Sequence, residues 1–277
     1  MPSAELIESL DIARLLPRLQ AGALTPTEVV EAVLARIRRA GDDRVWIHHL
    51  PDADLRARAR ELEPVGPANK PLYGIPCAIK DNIDYAGYPT TAACPAFAHV
   101  PEASATVVQR LLAAGAIIVG KTNLDQFATG LVGVRSPYGT ARNAFDARYI
   151  PGGSSSGSAV AVASGLVSFA LGTDTAGSGR IPAAFNNIVG LKPTRGLVSA
   201  RGVVPACRSL DCVSIFALTA DDAERVLNVT RGYDPGDEFS RIDEGLRPRA
   251  TPADPSRLRF GVPLPDQLEF FGDGEYA

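Results

Sequence analysis

Two short stretches carry residues that could do chemistry, Gly152-Gly153-Ser154-Ser155-Ser156-Gly157-Ser158 and Thr173-Asp174-Thr175-Ala176-Gly177-Ser178-Gly179-Arg180. Both concentrate hydroxyls on glycine-rich backbone, which brings N–H groups and serine oxygens close to a ligand. A serine hydroxyl is a weak nucleophile until a base takes its proton. Gly153 to Gly157 matches the G-x-S-x-G elbow centred on Ser155, but that elbow needs a histidine later in the chain. His48, His49 and His99 all precede it. Gly172 and Gly177 are spaced as in a P-loop, yet Ser178 stands where the phosphate-binding lysine belongs. A dinucleotide fingerprint needs G-x-G-x-x-G after a strand, and none occurs here.

What remains is serine chemistry served by lysine, which can act as a base once burial keeps it neutral. Lys80 ends an apolar, strand-like run, Pro71-Leu72-Tyr73-Gly74-Ile75-Pro76-Cys77-Ala78-Ile79-Lys80-Asp81-Asn82. The plainer reading of Lys80 is a solvated turn lysine, or one paired with Asp81. Lys121 is a rival base, set second because it follows a strand without an apolar run on both sides.

Taken together, Gly74-Ile75-Pro76-Cys77-Ala78-Ile79-Lys80-Asp81-Asn82, Gly152-Gly153-Ser154 and the Thr173–Arg180 stretch resemble the amidase-signature family, whose members hydrolyse amides with a Ser-Ser-Lys triad. Ser154 and Ser178 stand 24 residues apart, as that family requires, and the resemblance is dense from about Pro71 to Leu218. It implies that Lys80 is the base, Ser154 the bridging serine after a cis peptide bond, and Ser178 the nucleophile. The backbone N–H groups of Thr175, Ala176, Gly177 and Ser178 would cradle the oxyanion. Asp174 and Arg180 would pair to tie the two ends of that loop, the alternative being that Arg180 binds a substrate carboxylate.

The implied mechanism needs a neutral Lys80, whose ordinary pKa of about 10.4 must fall by roughly 3 units through desolvation. Ser154 would relay a proton from Ser178 to Lys80 and later return it to the leaving amine. Thr90-Thr91-Ala92-Ala93-Cys94-Pro95-Ala96-Phe97, Asp125-Gln126-Phe127-Ala128-Thr129-Gly130, and Ala176 where many relatives carry glycine resemble the allophanate-hydrolysing subgroup. That points to a small amide substrate bearing a carboxylate. The runners-up are another amidase of the family and the amidase-type component of a tRNA-dependent amidotransferase, whose partners do the RNA recognition. The resemblance implies no cofactor, no metal and a homodimer. Ser155 and Ser156 are expected to cap or position a helix. The role of Asp125 and Gln126 stays open, packing or solvation being the plain alternative. Because the family's domain is longer than this chain, a catalytically silent scaffold is the reading from another class.

The elements that must position these residues follow from pattern. The 277 residues carry a net charge of −3, 45% hydrophobic and 21% charged residues, and no dense Lys/Arg block. That balance argues against nucleic acid or an acidic membrane surface as partner. Glu5, Glu8 and Asp11 interrupt the first apolar residues, so no signal peptide or membrane span is read. Four irregularly spaced cysteines, Cys77, Cys94, Cys207 and Cys212, fit reduced thiols in a cytoplasmic protein.

Apolar spacing predicts a helix over 4–20. A second begins after Thr25, with Pro26 and Glu28 completing a capping box, and closes at Gly41. A third, Arg/Ala-rich helix spans Asp52 to Glu63. Strands Ile75–Ile79 and Ala116–Val119 around a helix Ala103–Ala114 make a βαβ crossover. Further expectations are a helix from near Asn123, a core helix Ser158–Ser164 between the two Gly/Ser loops, and a helix Thr219–Asn228. Strands are expected at Val189–Val198, Val213–Ala217 and Leu258–Val262, with a surface connection over Gly232–Ser256. The fold expected is α/β, a mixed β-sheet core covered by helices on both faces, the amidase-signature fold with its C-terminal part missing. Residues 1–277 form one partial domain, 1–65 being helical packaging and 66–277 the α/β catalytic core. Phe270 and Phe271 close to the end suggest a fragment or a naturally truncated member, with the two rings expected to be either disordered or buried against another chain.

Overall fold

The computed structural model describes residues 7–242, 254, 259, 261–272 and 274. The chain divides into two units, Met1–Ile242 and Asp243–Ala277. The first holds a six-stranded sheet in the order β1-β3-β2-β4-β6-β5. Its strands are β1 (Trp46–His49), β2 (Pro76–Lys80), β3 (Ile117–Thr122), β4 (Phe169–Thr173), β5 (Val189–Leu191) and β6 (Val213–Ala217). The three central strands β3, β2 and β4 run parallel, while β1, β6 and β5 join antiparallel.

Every residue of β2, β3, β4 and β6 is buried. A strand buried throughout must be covered on both faces, and helices do so. Helix α5 (Ser156–Ala163) packs along β2, β3, β4 and β6. Helices α2 (Pro26–Ala40), α3 (Asp52–Val65) and α7 (Ala220–Thr230) pack on β2, β3, and β5 and β6 respectively. The crossover helix α4 (Thr106–Ala113) and α1 (Ile12–Gln20) lie against α7. Helix α5 has no polar face, since Ser156 to Val162 are all buried. Its small side chains are what allow that.

The α2 expectation holds in detail: Thr25 Oγ1 accepts the Glu28 N–H, Glu28 accepts the Thr25 N–H, and Gly41 terminates the helix with φ +67°. The βαβ unit is present, and β3 runs three residues further than expected, taking in Lys121 and Thr122. Elsewhere the structure corrects the reading. Helix α1 starts at Ile12 because Asp11 caps it, accepting from the Ala13 N–H at 2.7 Å; of the expected earlier turns, residues 4–6 lie outside the described residues. The segment after Asn123 forms only a 3₁₀ turn, Gln126–Ala128, with Phe127 at φ +51°. Asn123 and Asp125 direct their side chains to nearby backbone N–H groups, a use that competes with helix. Strand β5 stops at Leu191, since Pro193 cannot donate to a ladder.

Strands β1 and β4 and helix α6 (Arg180–Phe185) lie outside the expected set of elements. Of Leu258–Val262, Leu258 and Phe260 lie outside the described residues, and Arg259, Gly261 and Val262 belong to no strand. Most of 243–256 is likewise outside them. The second unit contributes a 3₁₀ turn, Pro265–Gln267, and an exposed Phe271.

Candidate active site

Parallel strands deliver their carboxyl ends to one edge of a sheet, and that edge is where α/β proteins bind ligands. Here β2 ends at Lys80, β4 at Thr173, and β3 at Thr122, three residues before Asp125. Lys80 is 0% exposed, and its Nζ donates to Ser154 Oγ at 2.7 Å and to Thr173 Oγ1 at 2.8 Å. Burial pushes its pKa down to about 7, against the opposing pull of Asp125, Asp174 and Asp211. Both plain readings of Lys80 are overturned: it is not solvated, and Asp81 pairs instead with Lys121 at 3.3 Å.

Ser154 follows a cis Gly153–Ser154 peptide bond and is fully buried. Ser178 is 4% exposed, and its Oγ donates to the Gly130 carbonyl at 3.5 Å. No hydrogen bond joins the two serine hydroxyls. Their backbones are tied nonetheless, because the Ser155 N–H donates to the Ser178 carbonyl at 3.4 Å. The bond to Gly130 is long and therefore weak.

The loop before Ser178 is braced from both sides. Asp174, fully buried, accepts from the Gly179 N–H, the Arg180 N–H, and Arg180 Nε at 2.9 Å. Burial acts to raise its pKa, but the Arg180 side chain and those N–H groups prevail and hold it below the ordinary value. Thr175 Oγ1 donates to Asp211, whose carboxylate also accepts the N–H groups of Ala206 and Cys207. The backbone N–H groups of Thr175, Ala176, Gly177 and Ser178 have no acceptor among the described residues. Four consecutive unused donors on a braced turn could serve an anionic oxygen.

Ser155 sits at the N-cap position of α5 but caps nothing; its Oγ donates to the Thr173 carbonyl at 3.1 Å and accepts from the Thr173 N–H at 3.3 Å. It positions the second partner of Lys80. Lys121, the rival base, is 0% exposed, held by the Pro89 carbonyl, Thr90 Oγ1 and Asp81, with burial pushing its pKa down. It lies inside β3, not after it, and touches neither serine stretch.

Sequence reasoning misses Thr173, because it merges β4 with the small-residue run before it. It also leaves Asp125 open, which proves to be fully buried with both carboxylate oxygens bonded to backbone. Gln126 Nε2 donates to the Ala93 carbonyl at 3.0 Å, a packing role.

Residues 28–271 match the family model described as Amidase. The chain is 49% identical over 264 residues to the urea amidolyase of Lachancea kluyveri, covering 92% of this chain and 14% of that protein. It is 45% identical over 261 residues to a glutamyl-tRNA(Gln) amidotransferase subunit of Chloroflexus aurantiacus, covering 92% of this chain and 53% of the relative. Among solved structures, the allophanate hydrolase of Kluyveromyces lactis superposes with a TM-score of 0.78 at 50% identity, over 83% of this chain and 38% of the other. The chain thus spans between a seventh and about half of the length of these proteins.

Proposed function

The chain belongs to the amidase-signature family, and from that premise we propose that it hydrolyses a small, carboxylate-bearing linear amide, allophanate first, through an acyl-enzyme on Ser178. The observation that carries this reading is the buried Lys80, hydrogen-bonded to Ser154 at 2.7 Å beside a loop with four unused N–H donors. With its pKa brought down to about 7, Lys80 is neutral in a substantial fraction of the molecules near neutral pH and can accept a proton.

The Ser178 hydroxyl gives its proton through Ser154 to Lys80 Nζ, and Ser178 Oγ forms a bond to the amide carbon. The N–H groups of Thr175 to Ser178 hold the oxyanion. The C–N bond breaks as the proton returns through Ser154 to nitrogen, which leaves as ammonia. Water then cleaves the Ser178 ester by the same relay and restores the hydroxyl. The identities to a urea amidolyase and an allophanate hydrolase support the substrate. The identity to a glutamyl-tRNA(Gln) amidotransferase supports a second reading, in which glutamine is the amide donor. Arg180 faces Asp174, which supports a bracing role over substrate binding.

Ammonia release from allophanate, biuret, malonamide, glutamine and a long-chain fatty amide tests this, with Ser178→Ala as the blank. Allophanate is expected to lead the panel. Preference for glutamine favours the amidotransferase reading, and preference for the fatty amide removes both. A folded, monodisperse sample that a serine-directed fluorophosphonate fails to label at Ser178 points to the scaffold instead.

A further inference from the structure

A loop that belongs to neither serine-rich stretch, Gly130–Arg135, touches both of them. Its carbonyls face the proposed triad: Gly130 O accepts from Ser178 Oγ at 3.5 Å, and Leu131 O accepts from the Gly153 N–H at 2.8 Å. Its amides face Asp125. The Gly133 N–H donates to Asp125 Oδ2 at 2.9 Å and the Arg135 N–H to Oδ1 at 2.8 Å. The Asp125 N–H in turn donates to the Ser154 carbonyl at 3.0 Å. A Cβ at Gly153 would stand 2.2 Å from Asp125 Oδ2, and one at Gly130 2.8 Å from the same atom. The glycines are there because the carboxylate fills the space a side chain would need.

We propose that Asp125 is a positioning residue of the amide-hydrolysing centre, its carboxylate buckling the Gly130–Arg135 loop so that the loop holds Gly153-Ser154 on one side and the Ser178 hydroxyl on the other. This rests on the assignment of Lys80, Ser154 and Ser178 made above. The chemistry asks for a carboxylate because both oxygens must accept, whereas an amide of the same shape offers a single acceptor oxygen. Gly130 and Gly133, at φ +151° and +79°, give the loop backbone freedom that the carboxylate has to restrain. An unbuckled loop lets Ser178 and Ser154 drift, and small displacements of reacting groups cost rate steeply.

Asp125 also acts on Lys80 through its charge. Lys80 is faced by Asp125 after β3, Asp174 after β4 and Asp211 before β6, all of which favour the ammonium, while burial opposes it. Removing one of the three charges makes Lys80 easier to deprotonate. A residue that serves folding alone does neither of these things to the folded molecules.

The test is the rate at which a fluorophosphonate labels Ser178 in the full chain between pH 5 and 10, with folding checked by circular dichroism. In the parent the rate should rise with pH around 7, and Lys80→Met should lose that rise. Asp125→Asn is expected to label at least tenfold more slowly on the plateau, with its midpoint moved to lower pH. Asp125→Glu keeps the charge but displaces the oxygens, so its plateau should fall while its midpoint stays. Should Asp125→Asn fail to fold, Asp125→Glu decides alone. Folded Asp125 variants that match the parent in plateau and midpoint overturn the proposal and leave the triad standing. A parent unlabelled at Ser178, or a Lys80→Met variant that keeps the rise, overturns the triad and this proposal with it.

Discussion

Replacing Lys80 by methionine should remove a stability penalty that comes from burying its amino group, and the penalty can be sized. The folded pKa of Lys80 is about 7 against an ordinary 10.5. Between those values the unfolded chain binds a proton that the folded chain does not. Acid therefore favours unfolding across this window, and folded stability rises as pH climbs from about 7 to about 10.5. At about 1.4 kcal/mol per pH unit the whole window amounts to about 5 kcal/mol. Below pH 7 the contribution is flat, because both states hold the proton.

Methionine has a similar length and no charge, so this slope vanishes in Lys80→Met. The substitution also strips a donor from Ser154 Oγ and Thr173 Oγ1, at about 1–3 kcal/mol for each buried hydroxyl left short of a partner. Near pH 7 gain and loss are of the same size, and a single measurement decides nothing. The difference between the two profiles is the readout. Urea unfolding followed by the fluorescence of Trp46, the single tryptophan, gives it from pH 6 to 10. Lys121 is present in both proteins and cancels. The parent should gain several kcal/mol on Lys80→Met across the window. Parallel profiles would refute a neutral, buried Lys80, and with it the proposed role of base.

The Lys121–Asp81 pair is buried on both sides, so Lys121→Met alone should cost about 3–5 kcal/mol by stranding the carboxylate. Asp81→Asn with Lys121→Met should recover much of that, and a double-mutant cycle by urea unfolding that finds simple additivity rejects the coupling. Gly153→Ala has no room, since its Cβ would meet Asp125 Oδ2 at 2.2 Å and the Gly133 nitrogen at 2.5 Å. A loss of about 1–3 kcal/mol or more is expected, and a Tm equal to the parent's contradicts the packing described.

Some of this fold is legible because local chemistry and global structure agree. The Thr25-Pro26-Glu28 cap and the Gly41 stop define α2 whatever surrounds it, and the apolar run to Lys80 could hardly be other than a buried strand. Other parts depend on distant partners. Phe169–Thr173 is flanked by small residues that read as one continuous segment with α5, and only pairing with Cys77–Ile79 on one side and Val213–Ala217 on the other makes it a strand. Asp125 reads locally as a helix residue. Its carboxylate instead serves N–H groups eight and ten residues on, a choice no short window can register.

The two buried lysines make the same point about the site. Lys80 is the last residue of β2 and Lys121 the last but one of β3, both are 0% exposed, and both have a pKa lowered by burial. Judging them by flanking apolar residues prefers Lys80 for a reason the structure does not use. What separates them is the pleat. In the parallel pairing of β2 and β3, Lys80 lies beside Thr122 and Ile79 beside Lys121. Side chains alternate between faces along a strand, so Lys80 and Thr122 share one face and Lys121 takes the other. On the first face lies α5, where Lys80 reaches Ser154 and Thr122 reaches Ser158 at 2.7 Å each. On the second lie Pro89, Thr90 and Asp81, which satisfy Lys121 with a carbonyl, a hydroxyl and a carboxylate. Asp81 opposes the effect of burial on Lys121 and ties it into the structure, whereas Lys80 is met by hydroxyls, with the nearest carboxylates engaged elsewhere. The register of two strands, offset by one residue, thus decides which lysine lies beside Ser154 and is the one proposed as the base.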